Sequence, residues 1–228
     1  MLAALTQPTA FWHLLTRLGE AQILLPAALL TLFALCRRAE SRPLLGWWAA
    51  GLAGAVLMTT VSKVAFIGWG LGWPAMNFTG ISGHAMFAAA VYPLLLGALA
   101  NGAPTVSPRL SSSMRHGALA CGGLLALLVG VSRVVVGAHS SSEVVAGLLL
   151  GGCVSAGALA WQRVPAQRIS PLVPAAALLW LALAPTHAPA SNSHASVTQL
   201  ALALSGHSRP FTRGDMLKSL RASHKVQH

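Results

Sequence analysis

A histidine and a glutamate four residues apart, His139 and Glu143, have the types and the spacing for histidine chemistry. Near the start of a helix, two residues at this separation share one face, so that the carboxylate can accept a hydrogen bond from the imidazole N–H. Such a carboxylate fixes the tautomer of the ring and raises the basicity of its second nitrogen. The pair therefore predicts a histidine that a carboxylate orients and activates.

Two cations and a helix start accompany this pair, and they suit an anion. Lys63 and Arg133 are positive charges of the kind that clamp a phosphate group. The stretch Thr79-Gly80-Ile81-Ser82-Gly83-His84 leads into a predicted helix, whose first free N–H groups and positive dipole end favour negative charge. His84 would then be available as a proton donor. Together these residues predict a phosphate site.

The elements that must position these residues are apolar helices. The chain of 228 residues is 55% hydrophobic and 8% charged, and its mean hydropathy is +0.66. A soluble globular domain carries about 25% charged residues, so this chain lacks the charge to cover a water-facing surface. We predict an all-α, polytopic membrane helix bundle and exclude an ordinary soluble enzyme.

The apolar runs predict about six membrane-spanning helices within one membrane domain, residues 21–185. They lie at Ala21–Cys36, Leu44–Phe66, Ala85–Ala100, Gly117–Val136, Ser142–Trp161 and Leu172–Pro185. Residues 1–20 are expected to form a retained interfacial segment that Phe11 and Trp12 anchor. Residues 186–228 are expected to form a polar, basic tail, whose histidine side chains are solvated.

Glycines within the apolar runs allow neighbouring helices to approach closely. We expect such helix contacts at Gly117, Gly122, Gly123, Gly147, Gly151 and Gly152.

The distribution of arginines predicts the orientation of the bundle. Seven arginines lie in the connections at 37–43, 101–116 and 162–171, whereas those at 67–84 and 137–141 carry none. By the positive-inside rule the first set is cytoplasmic. All the candidate site residues then fall on the other side, and ionisable groups gathered at membrane depth mark a functional site by default. We predict a multi-pass protein of the bacterial inner membrane with its site facing the periplasm.

The formal net charge of +11 raises nucleic acid as a partner. No basic stripe with interleaved aromatic residues accompanies this charge, and membrane orientation explains the arginines better. We therefore expect no nucleic-acid partner. The cysteines, Cys36, Cys121 and Cys153, lack ligand-type spacing and predict no metal site.

At these residues the sequence resembles a known family, the type-2 phosphatidic acid phosphatases of the haloperoxidase-like superfamily, in the membrane-bound bacterial branch. Its third motif, SRxxxxxHxxxD, is matched by the residues from Ser132 to Glu143, with glutamate in place of the final aspartate. Its second motif, PSGH, is matched in its last three letters by Ser82-Gly83-His84. The first, KxxxxxxRP, is matched only by Lys63, because Gly70 and Leu71 stand where arginine and proline would be.

The resemblance implies that His139 attacks phosphorus to form a phosphohistidine, that Glu143 orients it, and that His84 protonates the leaving group and later activates water. It implies that five residues hold the phosphate: Lys63, Ser82, Gly83, Arg133 and Ser132. No metal or cofactor is expected, because the cations compensate the phosphoryl charge. A site at the membrane boundary predicts a lipid phosphate or lipid pyrophosphate as substrate, with the lipid bilayer around its chains.

Other interpretations of the same residues stay open. The phosphohistidine could pass its phosphate to a lipid or sugar acceptor, or the altered motifs could mark a decayed site in a lipid-binding or transport protein. The vanadate-binding haloperoxidases of the superfamily are soluble, so that activity ranks last. Taken singly, Lys63 could be an interfacial lysine, and Ser132 could bond to its own helix backbone.

Overall fold

The computed structural model describes residues 8–36, 39–101, 108–161, 170, 172–189 and 191–218. Regular structure in this part is helical apart from one isolated bridge between Trp73 and Phe78, which confirms the predicted all-α class. The α-helices are α1 (Pro8–Arg17), α2 (Ala21–Cys36), α3 (Arg42–Trp69), α4 (Gly83–Asn101), α5 (Pro108–Val135), α6 (Ser141–Trp161), α7 (Leu172–His187) and α8 (Ser193–Ser205). Short 3-10 helices, Ala39–Ser41 and Pro74–Met76, precede and follow α3.

Within the described residues, four helices, α3 to α6, are long and apolar enough to cross a membrane. The pair α1 and α2, bent by 45°, would add a fifth span, and the apolar part of α7, Ala175–His187, is shorter. The prediction of about six spans is roughly matched. The predicted bounds differ most at α5, which begins at Pro108 rather than near Gly117. Hydropathy marks only the apolar part of a helix, and the polar residues before Gly117 continue this one.

Helix α4 forms the centre of the bundle. Of its spanning window 61% is buried, against at most 33% for α3, α5 and α6, which leaves apolar faces of those three for lipid. The indole of Trp48 on α3 donates a hydrogen bond to Ala90 O of α4 (2.8 Å), and the hydroxyl of Tyr92 donates to Leu18 O (2.9 Å). Glycines of the neighbouring helices, Gly122 on α5 and Gly151 on α6, lie directly against the backbone of α4.

Three of the six glycines predicted at helix contacts do lie at them. A Cβ on Gly147 would lie 2.5 Å from Ser82 O, one on Gly122 would lie 2.6 Å from Pro93 Cα, and one on Gly151 would overlap Met86 O. The prediction is wrong for Gly117, Gly123 and Gly152, where a Cβ would meet nothing within 4 Å because these residues face away from the bundle. The glycines on α6 hold the start of that helix against the start of α4.

We expect Gly151→Ala to lower the stability of the bundle, because the added methyl group would collide with the backbone of α4 at Met86, which cannot rotate away. Overpacking of this kind costs about 1–3 kcal/mol. The matched control is Gly152→Ala, which makes the same change one residue later in open space. Melting of the detergent-purified variants, followed by circular dichroism, measures the difference. Equal melting temperatures for the two variants would contradict the contact.

The helix ends that carry the candidate site lie at one end of the bundle, where α3 and α5 finish and α4 and α6 begin. Arg17 of α1 reaches the same end and donates to the carbonyls of Pro185 in the last turn of α7 (2.6 Å) and of Ala188 just after that helix (2.5 Å). Helix α8 packs on the last turns of α3, with Ala201 buried beside Val64 and Ile67.

Four predicted cytoplasmic arginines lie outside the described residues: Arg37, Arg38, Arg163 and Arg168. The division of the chain at residues 20 and 185 stays a prediction.

Candidate active site

A cavity of about 640 Å³ opens at this end of the bundle. It brings together five of the predicted site residues from four parts of the chain: Lys63, Gly83, His84, Arg133 and His139. Glu143 and Ser82 lie directly behind this surface and are fully buried. The residues that the motifs single out are therefore neighbours, although they come from α3, α4, α5, α6 and the connections that precede α4 and α6.

The predicted pair is formed, with His139 Nδ1 2.7 Å from Glu143 Oε2. Because a carboxylate accepts, Nδ1 carries the hydrogen and Nε2 keeps its lone pair. His139 precedes α6 rather than belonging to it. A capping box aligns the two residues: Glu143 N–H donates to Ser140 Oγ (3.4 Å), and Ser140 N–H donates to Glu143 Oε2 (3.1 Å).

The carboxylate of Glu143 is completely buried and is surrounded by donors. Thr79 donates to Oε1 through its amide (2.7 Å) and its hydroxyl (2.6 Å). The guanidinium of Arg213 lies 2.8 Å from both carboxylate oxygens. A buried carboxylate needs such charge-assisted hydrogen bonds to offset the loss of water. The motifs did not predict Thr79 or Arg213 as partners.

The loop before α4 is held against both α3 and α6. Ser82 N–H donates to Glu143 O (3.1 Å), which fixes the first turn of α4 beside the carboxylate. Gly80 has φ +142°, and a Cβ there would lie 3.2 Å from Lys63 Cα, so both its conformation and its contact with α3 favour glycine. A Cβ on Gly83 would lie 3.7 Å from Lys63 Nζ, which places the ammonium beside the first turn of α4.

Two predicted phosphate ligands have donors available. The hydroxyl of Ser82 is buried with no hydrogen-bond partner among the described residues. Arg133 donates through NH1 to Thr16 Oγ1 of α1 (3.0 Å), and its Nε is buried without a described partner. Helix α1 thus orients the guanidinium that lines the cavity. A buried donor without a partner is costly, which makes both groups candidates for binding an anion.

The structure does not bring Ser132 to the cavity. Its hydroxyl is fully buried and donates to Val129 O, one turn earlier in α5, at 2.6 Å. This is the hydrogen bond to its own helix backbone that we gave as the alternative role of Ser132. We therefore do not assign Ser132 a phosphate contact.

Burial lowers the pKa of His139 below its usual value, and the charges of Lys63 and Arg133 act in the same direction against the opposing effect of Glu143. The imidazole is therefore neutral at neutral pH, with Nε2 unprotonated. Together, a neutral oriented imidazole, two cations and a helix N-terminus can bind a phosphate group and attack it.

The comparisons with known proteins agree with the motifs. The sequence model of the PAP2 superfamily matches residues 66–166, a range that contains the second and third motifs. The chain is also 37% identical over 213 residues to a Klebsiella pneumoniae protein described as "Uncharacterized 22.5 kDa protein in cps region", covering 91% of this chain and 98% of that protein. The chain belongs to the PAP2 superfamily. No solved structure matches it.

Membership of the PAP2 superfamily suggests a phosphatase-type activity, and the apolar helices indicate a membrane protein. The PAP2 match begins after Lys63 and ends before Arg213. Arg213, which the motifs do not predict as a partner of Glu143, therefore lies in a part of the chain that the match does not cover.

Proposed function

We propose that this protein is a membrane-embedded phosphatase that removes phosphate from a lipid phosphate or lipid pyrophosphate through a phosphohistidine on His139. The observation that carries the proposal is the His139–Glu143 pair, which faces a cavity lined by Lys63, Arg133 and the first turn of α4. No metal is required, because these groups supply the positive charge that a transferred phosphoryl group needs.

The reaction has two steps. In the first, Nε2 of His139 forms a bond to phosphorus while the bond from phosphorus to the leaving oxygen breaks. His84, in the imidazolium form that a bound phosphate anion favours, gives a proton to that oxygen. In the second, His84 takes a proton from water, which attacks phosphorus and releases inorganic phosphate from His139. Glu143 keeps Nδ1–H pointing away from the phosphorus throughout and stabilises the positive charge that develops on the ring.

Donors around the cavity would hold the phosphoryl oxygens. Lys63, Gly83 and Arg133 line the cavity, and the hydroxyl of Ser82 has a hydrogen bond to give. Preorganised donors of this kind favour the transition state, in which negative charge spreads over the oxygens.

The shape of the cavity supports a lipid substrate. From Lys63 the cavity continues along α3 past Thr59 to Val56, and Phe87 of α4 forms part of its wall. At 1.5 Å per residue this path extends about 10 Å towards the middle of the span. A phosphate head group would lie among the cations while the first part of its hydrocarbon chain follows α3. We place this site on the periplasmic side of the inner membrane, opposite the arginine-bearing connections.

The experiment is phosphate release by the detergent-purified protein in EDTA, from phosphatidic acid and from a polyprenyl pyrophosphate. Glycerol 3-phosphate, a similar head group without chains, is the control. We expect release from at least one lipid with kcat/KM about tenfold or more above the control, since two buried methylene groups already supply about 1.6 kcal/mol. Vanadate, which mimics pentacoordinate phosphorus, should inhibit release.

Each arm can contradict part of the proposal. Equal rates for lipid and glycerol 3-phosphate would contradict a lipid substrate. Product that appears only when a second alcohol is added would indicate a phosphotransferase. A folded protein that neither releases phosphate nor binds vanadate would contradict the phosphatase altogether.

A further inference from the structure

The segment that follows α8 folds back over the end of α3. The amide of Phe211 donates to Ile67 O (2.9 Å), and Nδ1–H of His207 donates to Gly68 O (2.7 Å). The last carbonyls of a helix have no partner within the helix, and here residues 206–216, which we call the C-terminal strap, satisfy two of them. The strap is thereby fixed at the same end of the bundle as the cavity.

Apolar contacts support these hydrogen bonds. The ring of Phe211 covers Gly70, where a Cβ would lie 3.1 Å from Phe211 Cδ1. Gly70 ends α3 with φ +71°, a conformation that favours glycine. Met216 is buried in the cluster that α8 forms with α3. The strap therefore covers position 70, where the family's first motif has an arginine.

Arg213 extends from the strap into the site. Its NH2 group lies 2.8 Å from both oxygens of Glu143 and 3.3 Å from Thr79 Oγ1, and NH1 lies 3.4 Å from Asn77 O. The side chain also lines the cavity and is 32% exposed, against 0% for Glu143. No other Lys or Arg side chain among the described residues forms an ion pair with Glu143.

We propose that Arg213 is a positioning residue of this site, which holds Glu143 against His139 and supplies from the strap the positive charge that position 70 lacks. The role rests on the proposed function, because positioning matters for turnover only if His139 acts on phosphate. Arg213 acts through Glu143 and is not assigned a bond to the reacting phosphorus.

The charges around His139 give this role a measurable consequence. Facing the imidazole from the packed elements are Lys63 on α3, His84 on α4, Arg133 on α5, Glu143 on α6 and Arg213 on the strap. Without Arg213, less positive charge offsets Glu143, so the carboxylate favours the imidazolium more strongly. His139 would then take up a proton at a higher pH and lose its nucleophilic lone pair there.

The test compares Arg213→Gln, Arg213→Lys and Arg209→Gln in the full chain. Arg209 is the matched control because it lies on the same strap with its side chain 79% exposed and a 3.9 Å pair to Asp215. In Arg213→Gln we expect kcat to fall about ten- to a hundredfold with a smaller change in KM, as for other residues that orient a reacting group through a neighbour. The acidic limb of the pH profile should move up by about one unit.

Arg213→Lys should recover most of kcat and should return the acidic limb of the pH profile to its wild-type position. Arg209→Gln should match the wild type in both. Two results would overturn the inference: an unshifted pH profile in Arg213→Gln, or a lysine variant no better than the glutamine variant. Melting temperatures of all three exclude misfolding as the cause.

A second readout does not depend on turnover. In protein with isotope-labelled histidine, the NMR signal that His139→Ala removes belongs to His139. The signal of His139 should titrate at a higher pH in Arg213→Gln than in the wild type, and at the wild-type pH in Arg209→Gln. If it titrated at the same pH in both variants, the inference would be overturned. If the wild type acts on no lipid, the proposed function fails, whereas this titration still decides the role of Arg213.

Discussion

Replacing His139 by alanine is expected to lower kcat for phosphate release by about 10⁴-fold or more, because the variant has no Nε2 to form the bond to phosphorus. Removal of a catalytic nucleophile has effects of this size in hydrolases that use an oriented histidine. The measurement is phosphate release from the lipid that the wild type prefers, with His116→Ala as control. His116 is an exposed residue of α5 whose ring contacts Ser112 O of its own helix.

The covalent intermediate gives this prediction a second measurement. Wild-type protein quenched during turnover of radiolabelled substrate should carry phosphate that is stable to alkali and labile to acid, as expected for phosphohistidine, and His139→Ala should carry none. A variant that keeps wild-type turnover, or label that persists in it, would show that another group attacks phosphorus.

Replacing Glu143 by glutamine is expected to lower kcat by roughly 10³- to 10⁴-fold, the scale seen when an orienting carboxylate becomes an amide. Donors approach both oxygens in the wild type: Thr79 meets Oε1, whereas Ser140 and His139 meet Oε2. If the amide nitrogen of glutamine took the place of Oε2, Nδ1–H of His139 would lose its acceptor. If it took the place of Oε1, the N–H of Thr79 would lose its acceptor instead. The ring could then present the wrong nitrogen to phosphorus.

Glu143→Asp is the conservative comparison. It keeps the charge and restores the family's usual residue, but its shorter side chain cannot reach Thr79, His139 and Arg213 from the same backbone position. We expect kcat between those of the wild type and Glu143→Gln. Full activity in Glu143→Gln, with its melting temperature unchanged, would contradict an orienting role for the carboxylate.

The six apolar helices could be predicted from the sequence because lipid-facing and core residues are both apolar, whereas α8 lies in the segment that was expected to be a polar tail. The predicted run Ala21–Cys36 coincides with α2, and the other runs were found with errors mostly at polar ends. The His139–Glu143 pair was also accessible, since a local spacing and a capping box bring the two together without long-range folding.

The partners of Glu143 could not be predicted in the same way. Thr79 and Arg213 are separated from it by 64 and 70 residues, and no periodicity relates them. The missing arginine at position 70 indicated that a cation had been lost, but any Lys or Arg other than Lys63 and Arg133 could have replaced it. Ser132 was predicted from its motif but does not reach the cavity. A motif fixes which residue is present, whereas the direction of its hydroxyl depends on the side-chain rotamer.

The strap has a consequence for the biogenesis of the protein. A ribosome that is still making α8 has already released His84, His139 and Glu143 into the bundle. Glu143 nevertheless gains its guanidinium partner only when the polypeptide beyond α8 has been made and has folded back onto α3. The ion pair between Arg213 and Glu143 can therefore form only after the helices that surround the site have been made.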